Sequence, residues 1–269
     1  MGSGVSCTME EQGRMNADQA MPEALRVMGT RVVPFESYTQ AVDCIGAAIA
    51  ARKKTFCVAI NPEKVYRAQR DPTLHAMLEQ AEVAICDGVG VALGARLLHG
   101  RHVPRCTGVD LCLELLKAAG QRGWRVFLLG ASPEANEEAA HKLTERFPGL
   151  EIAGRQHGYF KDGDAIVEQI NASGADLLFV AMGSPRQERW ITKHRAAIDA
   201  PFCMGIGGTL DVISGTVKRA PRVCRRTGTE FLYRLLCQPQ RIRRQIALPL
   251  FALEVLKQAW RGRAVAGGV

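Results

Sequence analysis

A repeating unit constrains this chain more than any other feature: a short apolar run, a turn of glycine, proline, asparagine or aspartate, then a stretch with helical spacing. The apolar runs are residues 55–60, 84–86, 126–129, 177–181 and 202–206. Runs this short, bounded by turn residues and apolar on both alternating faces, read as buried strands. Helical spacing appears between them, first from Ser37 with Ala41, Val42, Ile45, Ala48 and Ile49 on one stripe. A strand-helix alternation predicts a mostly parallel sheet, because each parallel connection must cross over and the crossover covers a face. The expected fold is therefore α/β, a doubly wound, Rossmann-like sheet.

The chain's 269 residues suffice for such a core, and 47% hydrophobic with 23% charged residues excludes a disordered or collagen-like chain. The net charge of +8 is unevenly placed. Twelve of the 35 basic residues lie between Lys218 and Arg263 against two acidic ones, Glu230 and Glu254, while the remainder holds 23 basic and 25 acidic groups. We divide the chain into a polar, aperiodic tail (1–23), an α/β body (24–219) and a basic helical C-terminal appendage (220–269). A cationic segment of this kind attracts polyanions: nucleic acid, an anionic membrane surface or a diphosphate. No run approaches the roughly 20 apolar residues of a membrane span, since the best, 246–253, is interrupted by Pro249. The N-terminus lacks the basic-then-apolar pattern of a secretory signal, and a polar start explains Met1-Gly2-Ser3-Gly4-Val5-Ser6 as well as a myristoylation pattern does. Nine cysteines without a Cys-x-x-Cys pair suit a reducing cytoplasm, with Cys57, Cys86 and Cys203 as small core residues.

Ligands of open α/β sheets bind outside the carboxyl ends of the strands, so the turns after each apolar run are the candidates. Asn61-Pro62, Ser132-Pro133 and Ser184-Pro185 each set a capping residue before a proline suited to a helix start. Asp87, in Asp87-Gly88-Val89-Gly90, is a candidate general base with glycines that allow close backbone approach, or else a helix-capping aspartate. Gly183, Ser184 and Arg186 precede or open a helix able to hold a phosphate or nucleotide, although Ser184 with Gln187 also fits a capping box. Gly207 and Gly208, with Asp211, allow close approach of a phosphate or sugar, or form a tight turn closed by Thr209. The dinucleotide fingerprint and the P-loop are both absent, which counts against an NAD-dependent epimerase or dehydrogenase and a P-loop enzyme. Asp162-Gly163-Asp164 has a metal-binding look but sits where a helix cap is expected, and the six histidines lack ligand spacing, so no metal site is expected.

Eight segments then carry a resemblance: Asn61-Pro62-Glu63-Lys64; Asp87-Gly88-Val89-Gly90; Arg105-Cys106-Thr107-Gly108-Val109-Asp110-Leu111; His157-Gly158-Tyr159-Phe160; Ala181-Met182-Gly183-Ser184-Pro185-Arg186-Gln187-Glu188; Gly205-Ile206-Gly207-Gly208-Thr209-Leu210-Asp211; Val217-Lys218-Arg219-Ala220-Pro221; and Phe231-Leu232-Tyr233-Arg234-Leu235. In order and spacing, from about residue 31 to 244, they resemble the WecG/TagA/CpsF glycosyltransferases.

The resemblance implies a cytoplasmic-face bacterial enzyme, peripheral on the plasma membrane, that moves a sugar from a UDP donor to a polyprenyl-diphosphate-linked acceptor with inversion. It assigns Asp87 as general base, sets Asn61 and Gln187 in the same pocket, and adds Arg105 through its motif. Arginines of the appendage, matched here by Arg234, Arg241 and Arg244, are expected near the active site, with the appendage on an anionic membrane surface. Cofactors are expected to be none. Ala59 stands where the wall-teichoic-acid branch often has threonine, and Ala59-Ile60-Asn61 with the 181–185 and 217–221 segments looks closer to the branch that transfers N-acetylmannosaminuronic acid. A teichoic-acid-type N-acetylmannosaminyltransferase or an exopolysaccharide glucosyltransferase is the alternative. A basic nucleic-acid-binding α/β protein is the rival of another class, although Phe231, Tyr233 and Leu235 among the basic residues speak for a membrane and against nucleic acid. A homo-oligomer remains open.

Overall fold

The computed structural model describes residues 21–237 and 242–266, with side chains for all of these except Arg225, Arg234, Arg243, Arg244 and those beyond Arg261. The described chain begins with an antiparallel hairpin, β1 (Leu25–Val27) and β2 (Thr30–Val32), which buries Val27 and Val32 completely. Helix α1 (Tyr38–Ala50) follows, its cap Ser37 accepting the Gln40 amide at 3.1 Å. The main sheet consists of β3 (Thr55–Ile60), β4 (Val83–Cys86), β5 (Arg125–Gly130), β6 (Glu151–Gln156), β7 (Leu177–Ala181) and β8 (Phe202–Gly205). All six are parallel, in the order β4-β3-β8-β7-β5-β6. The expected doubly wound sheet is present, and all five apolar runs are strands within it.

Side-chain alternation divides the core between two faces. Val58, Ile60, Phe127, Leu129, Leu178 and Val180 point to one face, and Cys57, Val126, Leu128, Leu177 and Phe179 to the other. The first face is covered by α2 (Pro62–Ala68), α3 (Pro72–Glu79), α4 (Val89–His99), α7 (Gly163–Ser173) and α8 (Arg186–His194), through residues such as Val65, Leu74, Val91, Ile166 and Ile191. The second is covered by α1, α5 (Gly108–Arg122), α6 (Pro133–Arg146) and α9 (Thr209–Ser214), through Ile45, Leu115, Leu143 and Leu210. Strand registers level the carboxyl ends: Ile60 lies opposite Cys86, Val58 and Val180 opposite Gly205, and Gly130 opposite Ala181.

After Pro221 come α10 (Arg222–Thr227), α11 (Glu230–Cys237), α12 (Ile242–Gln245) and α13 (Ala247–Ala266). The last helix packs against the body: Phe251 and Val255 are 3% and 4% exposed and belong to the first core, against Gly90, Gly94 and Val27. Leu250, Leu253, Leu256 and Trp260 of the same helix, and Ile246 just before it, are exposed, as are Leu93 and Leu97 of α4. Among the described residues no helix is long and apolar enough to cross a membrane.

Candidate active site

The chain leaving β3 turns into α2 on one face, and the chain leaving β8 turns into α9 on the other. Two adjacent strands whose exits diverge open a crevice between them, and Asn61 and Gly207 stand on its two sides. Asn61 caps α2, its Oδ1 accepting the Lys64 amide at 2.9 Å, with Pro62 in the first helical turn as expected. That cap engages the side-chain oxygen and not the amide nitrogen.

Asp87 follows β4 directly, and its amide donates to Ile60 O at 3.0 Å, so the exits of β3 and β4 remain joined past the last strand pair. Its side chain does not cap α4. Gly88 occupies that cap without a side-chain hydrogen bond, and Asp87 Oδ1 instead accepts the Gly108 amide at 2.8 Å. Gly108 opens α5, whose positive end is complementary to a carboxylate. A Cβ on Gly88 or Gly90 would lie 2.5 or 2.7 Å from the Pro62 ring, so these glycines let the start of α4 lie on the start of α2. Burial, reinforced by the Asp87 charge, pushes the Cys86 thiol up to about 12, and the same two causes raise Cys106. Both neighbouring thiols therefore stay protonated near neutral pH.

Arg105 precedes Cys106, whose amide donates to Cys86 O at 2.9 Å, and its charge partly opposes the shift at Cys86. The start of α5 is further braced. Thr107 Oγ1 donates to Asp110 Oδ2 at 2.7 Å, the Thr107 amide donates to Tyr38 Oη at 3.0 Å, and Asp110 Oδ1 pairs with Arg219 at 2.5 Å. Arg219 immediately precedes the C-terminal helices, which return to the same place: the turn at Gly228 lies against Val89, two residues beyond Asp87.

Gly183 and Ser184 lie at the end of β7, and here one expectation is corrected. Helix α8 starts at Arg186 with Pro185 in the cap position and no side-chain cap, so Ser184 neither caps it nor forms a capping box with Gln187. Gly183 O accepts the Gln187 amide at 2.9 Å, and the Gln187 side chain is drawn to the exit of β8. There its Oε1 accepts the Gly207 amide at 2.9 Å and its Nε2 donates to Glu188 Oε1 at 3.1 Å. Ser184 Oγ is buried without a hydrogen bond to any described residue. Arg186 donates to Gly158 O at 2.7 Å, tying it to the loop after β6. Gly207 and Gly208 form the turn after β8, which Thr209 closes through its hydroxyl to Ile206 O at 2.5 Å. Asp211 accepts the Val217 amide on its carbonyl at 2.9 Å and brings its carboxylate close to Gly208.

Lys64 and Glu188 lie in the quoted motifs but were given no role from sequence. They form a buried ion pair, Nζ to Oε1 2.7 Å, with side chains 8% and 0% exposed, and Lys64 Nζ also donates to Ala59 O at 2.9 Å. Burial pushes the Glu188 carboxyl up. The Lys64 charge, with hydrogen bonds from Lys64, Gln187 and the Glu188 amide, overrides it and holds the pKa below the usual glutamate value. Removing one partner of such a pair costs about 3–5 kcal/mol, because the other charge is left buried alone. Their signal was their place in the quoted motifs, Glu188 next to Gln187 and Lys64 three residues after Asn61.

The candidates from the exits of β3, β4, β7 and β8 thus converge at one edge. Arg234 and Arg244 belong to helices α11 and α12 but their side chains are not described, and Arg241 lies outside the described residues. Asp162 caps α7 by accepting the Asp164 and Ala165 amides at 2.9 and 3.2 Å, while Asp164 faces His194 at 3.4 Å. Among the described residues no cluster of three or more His, Cys, Asp or Glu is arranged to hold a metal.

Two comparisons bear on this edge. The family model described as glycosyl transferase WecG/TagA/CpsF family matches residues 25–265. An N-acetylglucosaminyldiphosphoundecaprenol N-acetyl-beta-D-mannosaminyltransferase from Bacillus spizizenii (strain ATCC 23059 / NRRL B-14472 / W23) is 40% identical over 205 residues, covering 76% of this chain and 80% of its own length.

Proposed function

Since the chain belongs to the WecG/TagA/CpsF family of glycosyltransferases, we propose that it transfers an N-acetylmannosaminyl group from a UDP donor to N-acetylglucosaminyl-diphosphoundecaprenol, with inversion. The observation that carries this reading is the Asp87 carboxylate, held by Gly108 beside Asn61 at the carboxyl edge of the sheet. The acceptor hydroxyl oxygen bonds to the anomeric carbon from the face opposite the leaving group, and its proton passes to Asp87. The bond from that carbon to the diphosphate breaks and UDP departs. Arg105 and Arg186, with Arg234, Arg241 and Arg244 from the C-terminal part of the sequence, offset the charge that develops on the leaving group, so the transfer proceeds without a divalent cation. Asn61 presents its amide nitrogen to the sugar, and Gln187 holds the opposite wall.

The lipid-linked acceptor lies in a bilayer, and we assign the exposed stripe of α13, with Leu93 and Leu97, to its cytoplasmic surface. Apolar side chains beside basic ones suit an anionic interface, where each basic group contributes roughly 1 kcal/mol, better than they suit nucleic acid. A transfer assay with UDP-N-acetylmannosamine and a short-chain GlcNAc-diphosphate-lipid acceptor tests the reading. Product formation that requires Asp87 supports it, and no product with any UDP-hexosamine overturns it.

A second reading, that the donor carries N-acetylmannosaminuronic acid, is favoured by Ala59 in Ala59-Ile60-Asn61. Preference for the uronic acid donor in direct competition would select it.

A further inference from the structure

The exits of β3 and β7 are not hydrogen-bonded to each other, because β8 lies between them. Even so, one chain of buried polar contacts crosses from one to the other over the end of β8. It starts at Ala59 O on β3, which accepts from Lys64 Nζ at 2.9 Å. It continues through the 2.7 Å pair to Glu188 Oε1 and the 3.1 Å bond from Gln187 Nε2 to that same oxygen. It ends where Gln187 Oε1 accepts the Gly207 amide at 2.9 Å. Lys64, Glu188 and Gln187 are 6%, 0% and 2% exposed. A Cβ on Gly205 would lie 2.5 Å from Gln187 Nε2, so the strand end is a glycine where this chain crosses it.

Two properties of the crossing bear on what it does. An amide side chain has two ends, and either can turn toward Gly207, but only the oxygen can accept from its amide. Glu188 decides the matter: an acceptor-only carboxylate at one end of Gln187 requires the nitrogen there and the oxygen at Gly207. Lys64 in turn keeps Glu188 ionised in a place where burial opposes its charge, and the backbone amide of the same lysine holds Asn61 Oδ1 at 2.9 Å. Lys64 therefore sets both sides of the crevice, Asn61 through its main chain and Gly207 through its side chain.

We infer that Lys64 and Glu188 are positioning residues for the transfer: they orient the Gln187 amide, which holds the turn at Gly207 and so sets the width of the crevice between the exits of β3 and β8. The inference rests on reading this edge as the transfer site. Gln187, buried at both ends of its amide, acts on that turn and does not contact the sugar.

The test compares the wild-type chain with the isosteric pair Lys64→Met/Glu188→Leu, which leaves Gln187 Nε2 without an acceptor, and with Glu188→Gln, whose Oε1 still serves both Lys64 and Gln187. Hydrogen exchange at the Gly207 amide, assigned by NMR and taken relative to core amides of β3 that exchange only on global unfolding, is expected to rise at least tenfold in the isosteric pair and to stay within about threefold of wild type in Glu188→Gln. The kcat is expected to fall at least tenfold in the pair while the donor KM changes less than threefold. Adding Gln187→Ala to the pair is expected to cause no further loss, since both changes cut the same chain of contacts. Unchanged Gly207 exchange, or losses that multiply in the combined variant, would overturn the inference. If the double variant does not fold, Gln187→Ala alone reads the same amide, and unchanged protection there overturns it equally. A wild-type chain that transfers no sugar sinks the proposed function, and the exchange measurement still decides the inference because it needs no turnover.

Discussion

The Gly108 amide donates to Asp87 Oδ1 at 2.8 Å across 21 residues of chain, joining the end of one strand to the first turn of a helix on the far face of the sheet. The contact aims the carboxylate, and the start of α5 that supplies it is itself held by Tyr38, Asp110 and Arg219. Asp87 is thereby oriented by the scaffold before any substrate arrives, which is what a base needs if its proton transfer is to occur in one geometry.

Asp87→Asn keeps an oxygen for the Gly108 amide and nearly the same shape, but has no basic oxygen to take a proton. Turnover should fall by about 10²–10⁴-fold while UDP binding, measured by calorimetry, and the melting temperature stay close to wild type. Near-wild-type turnover would remove Asp87 as the base.

Gly90→Ala places a methyl group 2.7 Å from Pro62 Cγ, on a proline ring that has little room to move. The overlap should destabilise the fold by about 1–3 kcal/mol, read from denaturant unfolding, with a lower kcat because α2 carries Asn61 at its cap. An alanine variant as stable as wild type would mean that the two helix starts are not in contact.

Acidification should expose the buried ion pair. The Glu188 pKa is lower folded than unfolded, so the stability it contributes is complete above the ordinary glutamate value of about 4.3 and is lost as the pH falls through the lower folded value. Thermal melts between about pH 6 and pH 3 should therefore decline less steeply for Glu188→Gln than for wild type. Parallel curves would contradict the assignment.

Replacing Leu253, Leu256 and Trp260 of α13 with aspartate alters side chains that are 48%, 58% and 76% exposed and leaves Phe251 and Val255 in the core. Flotation with vesicles containing anionic lipid should be lost while transfer to a water-soluble acceptor continues at the wild-type rate. Persistent flotation would place the membrane contact elsewhere.

Transfer should continue in EDTA, because Asp162 is engaged in capping α7 and Asp164 faces His194. Activity that disappears with the chelator and returns with Mg²⁺ or Mn²⁺ would contradict this.

The parts of the fold that were legible in sequence are those where burial makes composition uniform. Strand β3 is apolar from Phe56 to Ile60 because both its faces are covered, and its span of six residues agrees with the sequence reading. Strand β6, Glu-Ile-Ala-Gly-Arg-Gln at the sheet edge, has one side without a neighbour and carries no apolar run, so nothing in its sequence separated it from a loop. The hairpin β1-β2 was too short to show a period. At the site, Asn61 and Asp87 were legible because each occupies a turn at a strand end. The roles of Lys64 and Glu188 were not, since their pairing spans more than 120 residues and only the strand order brings them together. Ser184 was misread because Ser-Pro resembles a helix start, whereas Gln187 was needed at the exit of β8.

The way α13 is seated has one more consequence. The same helix sends Phe251 and Val255 into the core and turns Leu253, Leu256 and Trp260 outward, so the stripe proposed to meet lipid is rigidly joined to the body. A body lying on a bilayer through that face has a set tilt, and its crevice opens at one height above the headgroups. On the proposed function, a lipid-linked acceptor would then reach it by lateral diffusion in a plane, and the encounter rate would follow how densely that lipid populates the leaflet, independently of the volume of the cell.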